Sequence, residues 1–343
     1  MSKFQSLIVT DINNLTPDSV EINFDISNTS NFDFVPGQYI TIKHEINGED
    51  VRRAYSICSA PSEGLSIGVK RVEGGKMSTF LVNRLNIGDT LEVMPPSGNF
   101  IYNEAKKHVV AICAGSGITP IFSMIKSIDS NTKFSLLYGN RSENSVMFST
   151  KLKDIQESDT KDLDIHWFFS KEKVSSSIYG RIDKNNLQQL LNTFNSLKDA
   201  DDFYICGPGD LIDNVKELLL LNKVNESKIH FERFTAAEKT DNDSNNNKDI
   251  MSNVTVCVDG DDFEFTLSSK GQYILDAAME HGADVPYSCK GAVCCTCKGK
   301  VMEGKVTMDA NYSLSEDEVS QGYILGCQAR PASPNVVVDF DEM

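Results

Sequence analysis

Through the first hundred residues, apolar positions come in short runs that alternate with polar ones and break at turn residues. Residues 34–42, 65–72 and 89–93 are such runs, and the opening segment 1–9 reads as another strand. Asn47-Gly48 and Gly74-Gly75 punctuate them as turns. Several half-buried strands at this spacing predict a small antiparallel β-barrel. Near residue 108 the texture changes. Residues 108–114 are almost continuously apolar, Gly115-Ser116-Gly117-Ile118-Thr119-Pro120 follows, and a helical pattern runs to about 128. Further buried-strand runs at 133–138, 165–169 and 202–206, with helical patterns such as 210–222 between or after them, predict an α/β domain whose parallel sheet is covered on both faces. Residues 238–249 carry no strongly apolar side chain and predict a flexible tether. With about 15 residues, such a tether reaches roughly 20 Å. The strand pattern then returns: residues 254–258 and 262–267 flank Asp259-Gly260, a hairpin signal, and a short amphipathic helix over 274–281 precedes a cysteine-rich loop. The expected organisation is a barrel over 1–103, an α/β domain over 104–235, a linker over 236–252 and a third domain over 253–343, with no internal repeat.

Composition narrows the function. Of 343 residues, 40% are hydrophobic and 24% charged, an ordinary balance for a chain that buries real cores. Asp and Glu number 49 against 33 Lys and Arg, a formal net charge of −16. A surface that negative repels phosphate backbones and anionic lipid, which argues against nucleic acid and membrane partners. It suits a basic patch on a protein instead. Residues 253–343 alone hold 15 acidic and 6 basic side chains. No apolar run approaches the roughly 18–20 residues of a membrane span, and the N-terminus lacks an export pattern, so a cytoplasmic location is expected.

Nine cysteines divide into two sets. Cys58, Cys113, Cys206 and Cys257 lie in apolar or strand-like runs and read as small buried hydrophobes. The others crowd into Cys289-Lys290-Gly291-Ala292-Val293-Cys294-Cys295-Thr296-Cys297 and a later Cys327. Four residues separate Cys289 from Cys294 and two separate Cys294 from Cys297, which is the plant-type ligand spacing of a [2Fe-2S] cluster. Four thiolates must converge on two irons, so one tight loop supplies three and a distant segment closes the cage. Gly291 and Ala292 keep that loop small, so that backbone N–H groups turn inward. Cys295 falls outside the spacing and is expected to face away. A zinc site is the alternative, but it favours paired C-x2-C knuckles and only one is present. The five histidines are far apart, and neither a Ser/His/Asp set nor paired carboxylates support hydrolysis.

From 253 onward the chain resembles plant-type [2Fe-2S] ferredoxin, which implies a β-grasp fold, a one-electron carrier and Cys289, Cys294, Cys297 and Cys327 as metal ligands. Upstream, Arg53-Ala54-Tyr55-Ser56 matches the R-x-Y-S motif of the ferredoxin–NADP+ reductase superfamily, with Pro36-Gly37-Gln38-Tyr39 before it and Gly75-Lys76-Met77-Ser78-Thr79 after it in the family's order. This resemblance implies FAD in the barrel. Arg53 and the backbone N–H groups of Met77, Ser78 and Thr79 would take the diphosphate. Tyr55 would stack on the isoalloxazine and Ser56 would sit near its N5 edge, with Ala54, Val69, Lys70, Gly75 and Lys76 completing the cofactor-binding set. Gly115, Ser116, Gly117 and Thr119 belong to the family's G-x-G-x-x-P loop for a pyridine-nucleotide diphosphate. Cys206-Gly207-Pro208 resembles its C-G-P loop beside the nicotinamide, and Phe234 stands where the family places an aromatic near the flavin.

Tyr55, Ser56, Cys206 and Phe234 would position the reacting rings. Arg141, Ser142, Ser170, Lys171 and Arg181 offer charge and hydroxyls for a 2′-phosphate, favouring NADPH over NADH. The order of domains resembles that of reductase components that feed oxygenases, and the resemblance implies an electron relay. NADPH gives up two electrons together, a flavin accepts them and releases them singly, and a cluster carries one at a time to an oxygenase or other redox acceptor docking on the acidic domain. Two other readings stay open at this point: a general ferredoxin-type reductase serving a desaturase, a P450 or a steroid- or ring-hydroxylating oxygenase, and a redox sensor or carrier that does not turn over nicotinamide.

Overall fold

In the computed structural model, residues 4–158, 160–235 and 249–342 are described. The first domain is a six-stranded antiparallel sheet of β1 (Gln5–Thr16), β2 (Ser19–Asp25), β3 (Tyr39–Ile46), β4 (Glu49–Ser56), β5 (Leu65–Lys70) and β6 (Thr90–Ser97), in the order β4-β3-β6-β1-β2-β5. An antiparallel bridge between Ile57 and Ile67 joins the two edges and closes the barrel. Leu7, Ile22, Ile40, Ile42, Ile67 and Val93 fill its interior. Asn47 and Gly48 both take positive φ, 56° and 79°, at the β3–β4 turn, where strand twist demands left-handed residues. One strand starts late: the run from 34 becomes extended pairing only at Tyr39, because Pro36 and Gly37 form a turn first, with Gly37 at φ 103°. Helix α1 (Lys76–Asn83) caps the barrel, with Met77 and Leu81 pointing into the core.

The second domain is a parallel sheet of β7 (His108–Ala114), β8 (Lys133–Asn140), β9 (Asp162–Phe169), β10 (Ile178–Tyr179), β11 (Asp202–Gly207) and β12 (Ile229–Arg233), ordered β10-β9-β8-β7-β11-β12. Its strands bury both faces. Val109, Ala111 and Cys113 point toward α2 (Ile118–Ser127) and α3 (Ser149–Glu157), whereas Val110 and Ile112 point toward α4 (Lys184–Thr193) and α5 (Gly209–Leu221). The chain order reverses between β7 and β11, so α2 and α5 both begin beside one crevice.

The third domain has a five-stranded sheet of β13 (Met251–Val258), β14 (Asp261–Ser268), β15 (Lys298–Glu303), β17 (Tyr323–Leu325) and β19 (Asn335–Asp339), ordered β14-β13-β19-β15-β17 with β13 and β19 parallel. A small ladder of β16 (Val306–Met308) and β18 (Ala329–Pro331) lies apart, and α6 (Ile274–Glu280) and α7 (Glu316–Ser320) complete the β-grasp. The hairpin turn is at Asp259-Gly260, φ 52° and 80°. β13 begins at Met251, three residues before the strand expected over 254–258. Of the linker expected over 236–252, residues 236–248 lie outside the described residues, whereas Met251 and Ser252 already belong to β13. Among the described residues, no helix is long and apolar enough to cross a membrane.

Candidate functional site

The cysteine loop follows α6 and runs into β15. Cys294 and Cys289 stand with their sulfurs 3.1 Å apart, and Cys327, from the turn after β17, lies in hydrogen-bond contact with Cys289 and Cys297. The loop therefore gathers all four cysteines of the ferredoxin-like spacing. Backbone N–H groups of Gly291 and Val293 point at the Cys289 sulfur, the former at 3.3 Å, and that of Ala292 points at Cys327. The residues that turn these donors inward are Lys290 and Ala292, in left-handed conformations at φ 49° and 62°, rather than Gly291 itself. Hydrogen bonds from Cys294 and Cys327, and then from the backbone, hold the Cys289 thiol far below its usual range. The same contacts push Cys294 and Cys327 up. Four thiols this close cannot all ionise without a cation, and such a set binds metal by giving up its protons to water as the metal takes their place. The donor set fits a cluster.

Cys295 is turned away from those sulfurs, as expected, but it is not idle surface. Its sulfur donates to the Ser313 carbonyl at 3.3 Å, its N–H donates to the Tyr39 hydroxyl at 3.0 Å, and burial pushes its thiol up to about 11.

Arg53, Ala54, Tyr55 and Ser56 end β4, paired with β3 so that Ile40 faces Tyr55 and Tyr39 faces Ser56. The exposed Arg53 guanidinium donates to the Arg52 carbonyl at 2.7 Å and has no carboxylate partner among the described residues. Tyr55 is half-buried, and burial drives its hydroxyl well above the ordinary phenol range. Ser56 donates to Glu232 at 3.2 Å across the boundary between barrel and α/β domain. Enclosure raises the Glu232 carboxyl to about 8. Burial, and then the neighbouring Glu232, push the Cys206 thiol well up. Ser56, Glu232 and Cys206 thus meet at one point. Glu232 is the residue that motif reading passed over, although it sits two positions before Phe234, itself 39% exposed just past β12.

The start of α1 supplies fewer free donors than expected. Thr79 N–H already bonds the Gly75 carbonyl at 3.2 Å, leaving the first-turn N–H groups of Lys76, Met77 and Ser78 without helical partners. Met77 and Ser78 side chains are buried, and the Ser78 hydroxyl accepts from Val72 N–H at 3.1 Å. Lys76 is engaged by Glu49. Val69 points into the barrel core, whereas Lys70 reaches the rim beside Asp18, 3.6 Å away.

A cleft of about 1260 Å3 opens between barrel and α/β domain. Thr79 and Lys70 line its barrel side, Gly115, Ser116 and Pro208 its floor, and Arg141, Ser142, Ser170, Lys171 and Arg181 its far rim. Gly117 is packed so closely on the end of β11 that a methyl there would overlap the Cys206 carbonyl. Gly207 takes φ 152°, and Thr119 donates to the Ser116 carbonyl at 2.9 Å, tying the first loop to the start of α2. Backbone bonds from Ser170 to Asn140 (3.0 Å) and from Lys171 to Arg141 (2.9 Å) bring the loops after β8 and β9 together. The nearby Glu172 carboxylate, which could have taken a ribose diol, instead accepts from Glu143 N–H at 2.9 Å. Arg181 pairs with Asp210 at 3.3 Å.

A closed barrel with an exposed guanidinium, a parallel sheet with two helix starts at its switch point and a β-grasp domain with four gathered thiols define a class: flavin- and nicotinamide-linked reductases with their own iron–sulfur carrier. The chain belongs to that family. Residues 6–102 match the oxidoreductase FAD-binding domain, residues 111–217 the oxidoreductase NAD-binding domain and residues 256–332 the 2Fe-2S iron-sulfur cluster binding domain. It is an NAD(P)H-dependent oxidoreductase that passes electrons through FAD and a [2Fe-2S] cluster.

It is similar to a component protein of the 1,2-phenylacetyl-CoA epoxidase of Escherichia coli strain K12, 40% identical over 99% of both chains. The ferredoxin reductase component of 3-ketosteroid-9-alpha-monooxygenase from Rhodococcus rhodochrous is 31% identical over 90% of this chain and 88% of its own. Phthalate dioxygenase reductase shares the fold, with a TM-score of 0.61 at 24% identity and 98% of each chain covered. The structure of an intact type IV self-sufficient cytochrome P450 monooxygenase matches at a TM-score of 0.74 and 20% identity, over 98% of this chain and 41% of that one.

Proposed function

We propose that the protein is the reductase component of a phenylacetyl-CoA epoxidase-type oxygenase. The observation that carries this is the 40% identity to the Escherichia coli phenylacetyl-CoA epoxidase component over 99% of both chains, against 31% over 90% of this chain for the steroid-oxygenase reductase. When bound, the flavin accepts hydride from the nicotinamide and passes single electrons to the cluster, chemistry that belongs to the cofactors.

The chain's own part is placement. Arg53 and the α1 N–H groups hold the FAD diphosphate, where a guanidinium without a carboxylate partner and a helix start favour dianionic oxygen. Tyr55 and Phe234, the latter 39% exposed just past β12, would cover the isoalloxazine. Ser56, hydrogen-bonded to Glu232, would lie near the N5 edge of the flavin. Gly115 through Gly117 would cradle the nucleotide diphosphate, and the Cys206–Pro208 loop would lie beside the nicotinamide. Arg141, Ser142, Ser170, Lys171 and Arg181 receive a 2′-phosphate, so the donor is NADPH. Cys289, Cys294, Cys297 and Cys327 hold the cluster. The three functional units are a flavin barrel over 1–103, a nucleotide domain over 104–235 and a ferredoxin domain over 253–343. The acidic ferredoxin domain presents itself to a basic face of the oxygenase.

The test is reconstitution. Purified, cofactor-loaded protein is mixed with a phenylacetyl-CoA oxygenase and, separately, with a 3-ketosteroid 9-alpha-oxygenase, each with NADPH and with NADH. Substrate oxygenation at least tenfold faster with NADPH, and confined to the first pairing, is expected. Coupling to the steroid oxygenase alone would refute the partner assignment, and equal rates with the two nucleotides would refute the 2′-phosphate site.

A further inference from the structure

The ferredoxin domain does not hang free of the barrel. Arg52, the neighbour of the flavin-motif Arg53, is only 5% exposed, and its guanidinium contacts Asp50 at 3.0 Å on its own strand and Asp284 at 2.8 Å on the ferredoxin domain. Tyr287, two residues before Cys289, lies under the same guanidinium at 4.6 Å, and Phe4 lies at 5.4 Å. A second contact forms at β3. The Tyr39 hydroxyl accepts the Cys295 N–H at 3.0 Å and lies 3.3 Å from the Thr296 hydroxyl, which also lies 3.3 Å from Thr41. Asn99 adds bonds to the Ser313 carbonyl and Glu318 at 3.1 and 2.9 Å.

These contacts give the cluster loop two unlike sides. Cys294, Cys295, Thr296 and Cys297 are buried on the barrel side, directly against the strand whose Tyr39 pairs with Ser56. Cys289 and Gly291 are partly open to solvent, and Lys290 is exposed.

From this geometry we infer that Arg52 and Tyr39 form a clamp that seats the ferredoxin domain for electron entry through the Cys294–Cys297 side, and that Cys289 is the side from which electrons leave. Resting on the flavin site proposed above, the inference makes both clamp members positioning residues, since neither reaches the nucleotide cleft. A planar guanidinium held by two carboxylates and an aromatic face is directional, so it fixes orientation as well as proximity. Because one chain joins the two domains, their effective concentration is about millimolar, and a modest clamp is enough to populate the seated arrangement.

Arg52→Met in the full, cofactor-loaded chain tests this by anaerobic stopped flow. Flavin bleaching by NADPH and ferricyanide reduction are expected unchanged, whereas cluster bleaching slows at least tenfold. Arg52→Lys restores part of the rate, and the exchange pair Arg52→Asp with Asp284→Arg restores more than either single change. Independently of turnover, hydrogen exchange at the Cys295 and Thr296 amides is expected to quicken at least tenfold in Arg52→Met and in Tyr39→Phe. Wild-type cluster reduction in Arg52→Met, or wild-type exchange at those amides in both variants, would overturn the inference. Arg53→Ala separates the two readings: it should shed FAD, and retention of FAD there would count against the flavin site alone. If Arg52→Met itself loses FAD, Asp284→Asn, on the opposite domain, bears the same expectations.

Discussion

Glu232 shows how much one side chain can depend on distant chain. It stands 176 residues from Ser56, yet the two share a hydrogen bond of 3.2 Å. Removing water from the carboxyl raises it to about 8, so at neutral pH the protonated form predominates beside Ser56. The rate of flavin reduction by NADPH should therefore show an inflection near 8 that is absent in Glu232→Gln, read by stopped flow across pH 6 to about 9.5. Stability carries the matching sign. The folded state holds a proton on this group between the ordinary 4.5 and about 8, so its contribution is fully present below 4.5 and is lost as pH rises through 8. Melting temperatures of the Gln variant should fall less over that interval than those of the wild type.

The cysteine loop is a single element with two kinds of thiol, and it separates ligand from neighbour. Cys294→Ser or Cys327→Ser should remove the visible and electron paramagnetic resonance signals of a reduced [2Fe-2S] centre and stop delivery to the oxygenase, while NADPH-driven ferricyanide reduction persists. Cys295→Ser should retain the full iron content, because a hydroxyl can keep the bond to the Ser313 carbonyl. Iron and labile sulfide assays on the three variants decide it.

The spacing of these cysteines was legible in the sequence because ligand geometry is local. So were the turns at Asn47-Gly48 and Asp259-Gly260, where φ must be positive, and the apolar strands 108–114 and 202–206. What escaped was long-range. Nothing near Arg52 marks it as the partner of Asp284, 232 residues away, and nothing near Tyr39 marks it as the acceptor for Cys295. Pairings of that kind arise from tertiary packing and leave no periodicity behind. Lys290 and Ala292 also escaped, because left-handed backbone is read from glycine, and here the residues flanking the glycine adopt it.

At the scale of the whole molecule, charge and division of labour meet. More than half of the net charge of −16 falls in residues 253–343, which carry −9. Part of that acidity is engaged internally, through Asp284 on Arg52 and Glu318 on Lys298 and Asn99. Other carboxylates are paired within the domain as well, Asp276 with Lys290 and Asp309 with Arg330. The steering of a basic acceptor proposed above therefore rests on the domain's net charge, an effect on encounter rate that salt screens over a Debye length of about 8–10 Å. Reduction of cytochrome c, a basic protein, should therefore slow several-fold between 20 and 300 mM salt, while reduction of a small uncharged quinone by the flavin should hold steady. An equal response of both would remove steering from the account.

The partly open setting of Cys289 has a cost as well as a use. An outlet left uncovered while the inlet stays sealed admits any small oxidant, and dioxygen needs neither charge nor a fitted surface to reach it. Each reduced molecule awaiting its oxygenase therefore leaks reducing power in proportion to its waiting time. The safeguard is abundance of the partner: peroxide formed per NADPH consumed should fall as oxygenase is added, until the mouth of the relay is stoppered by the protein it feeds.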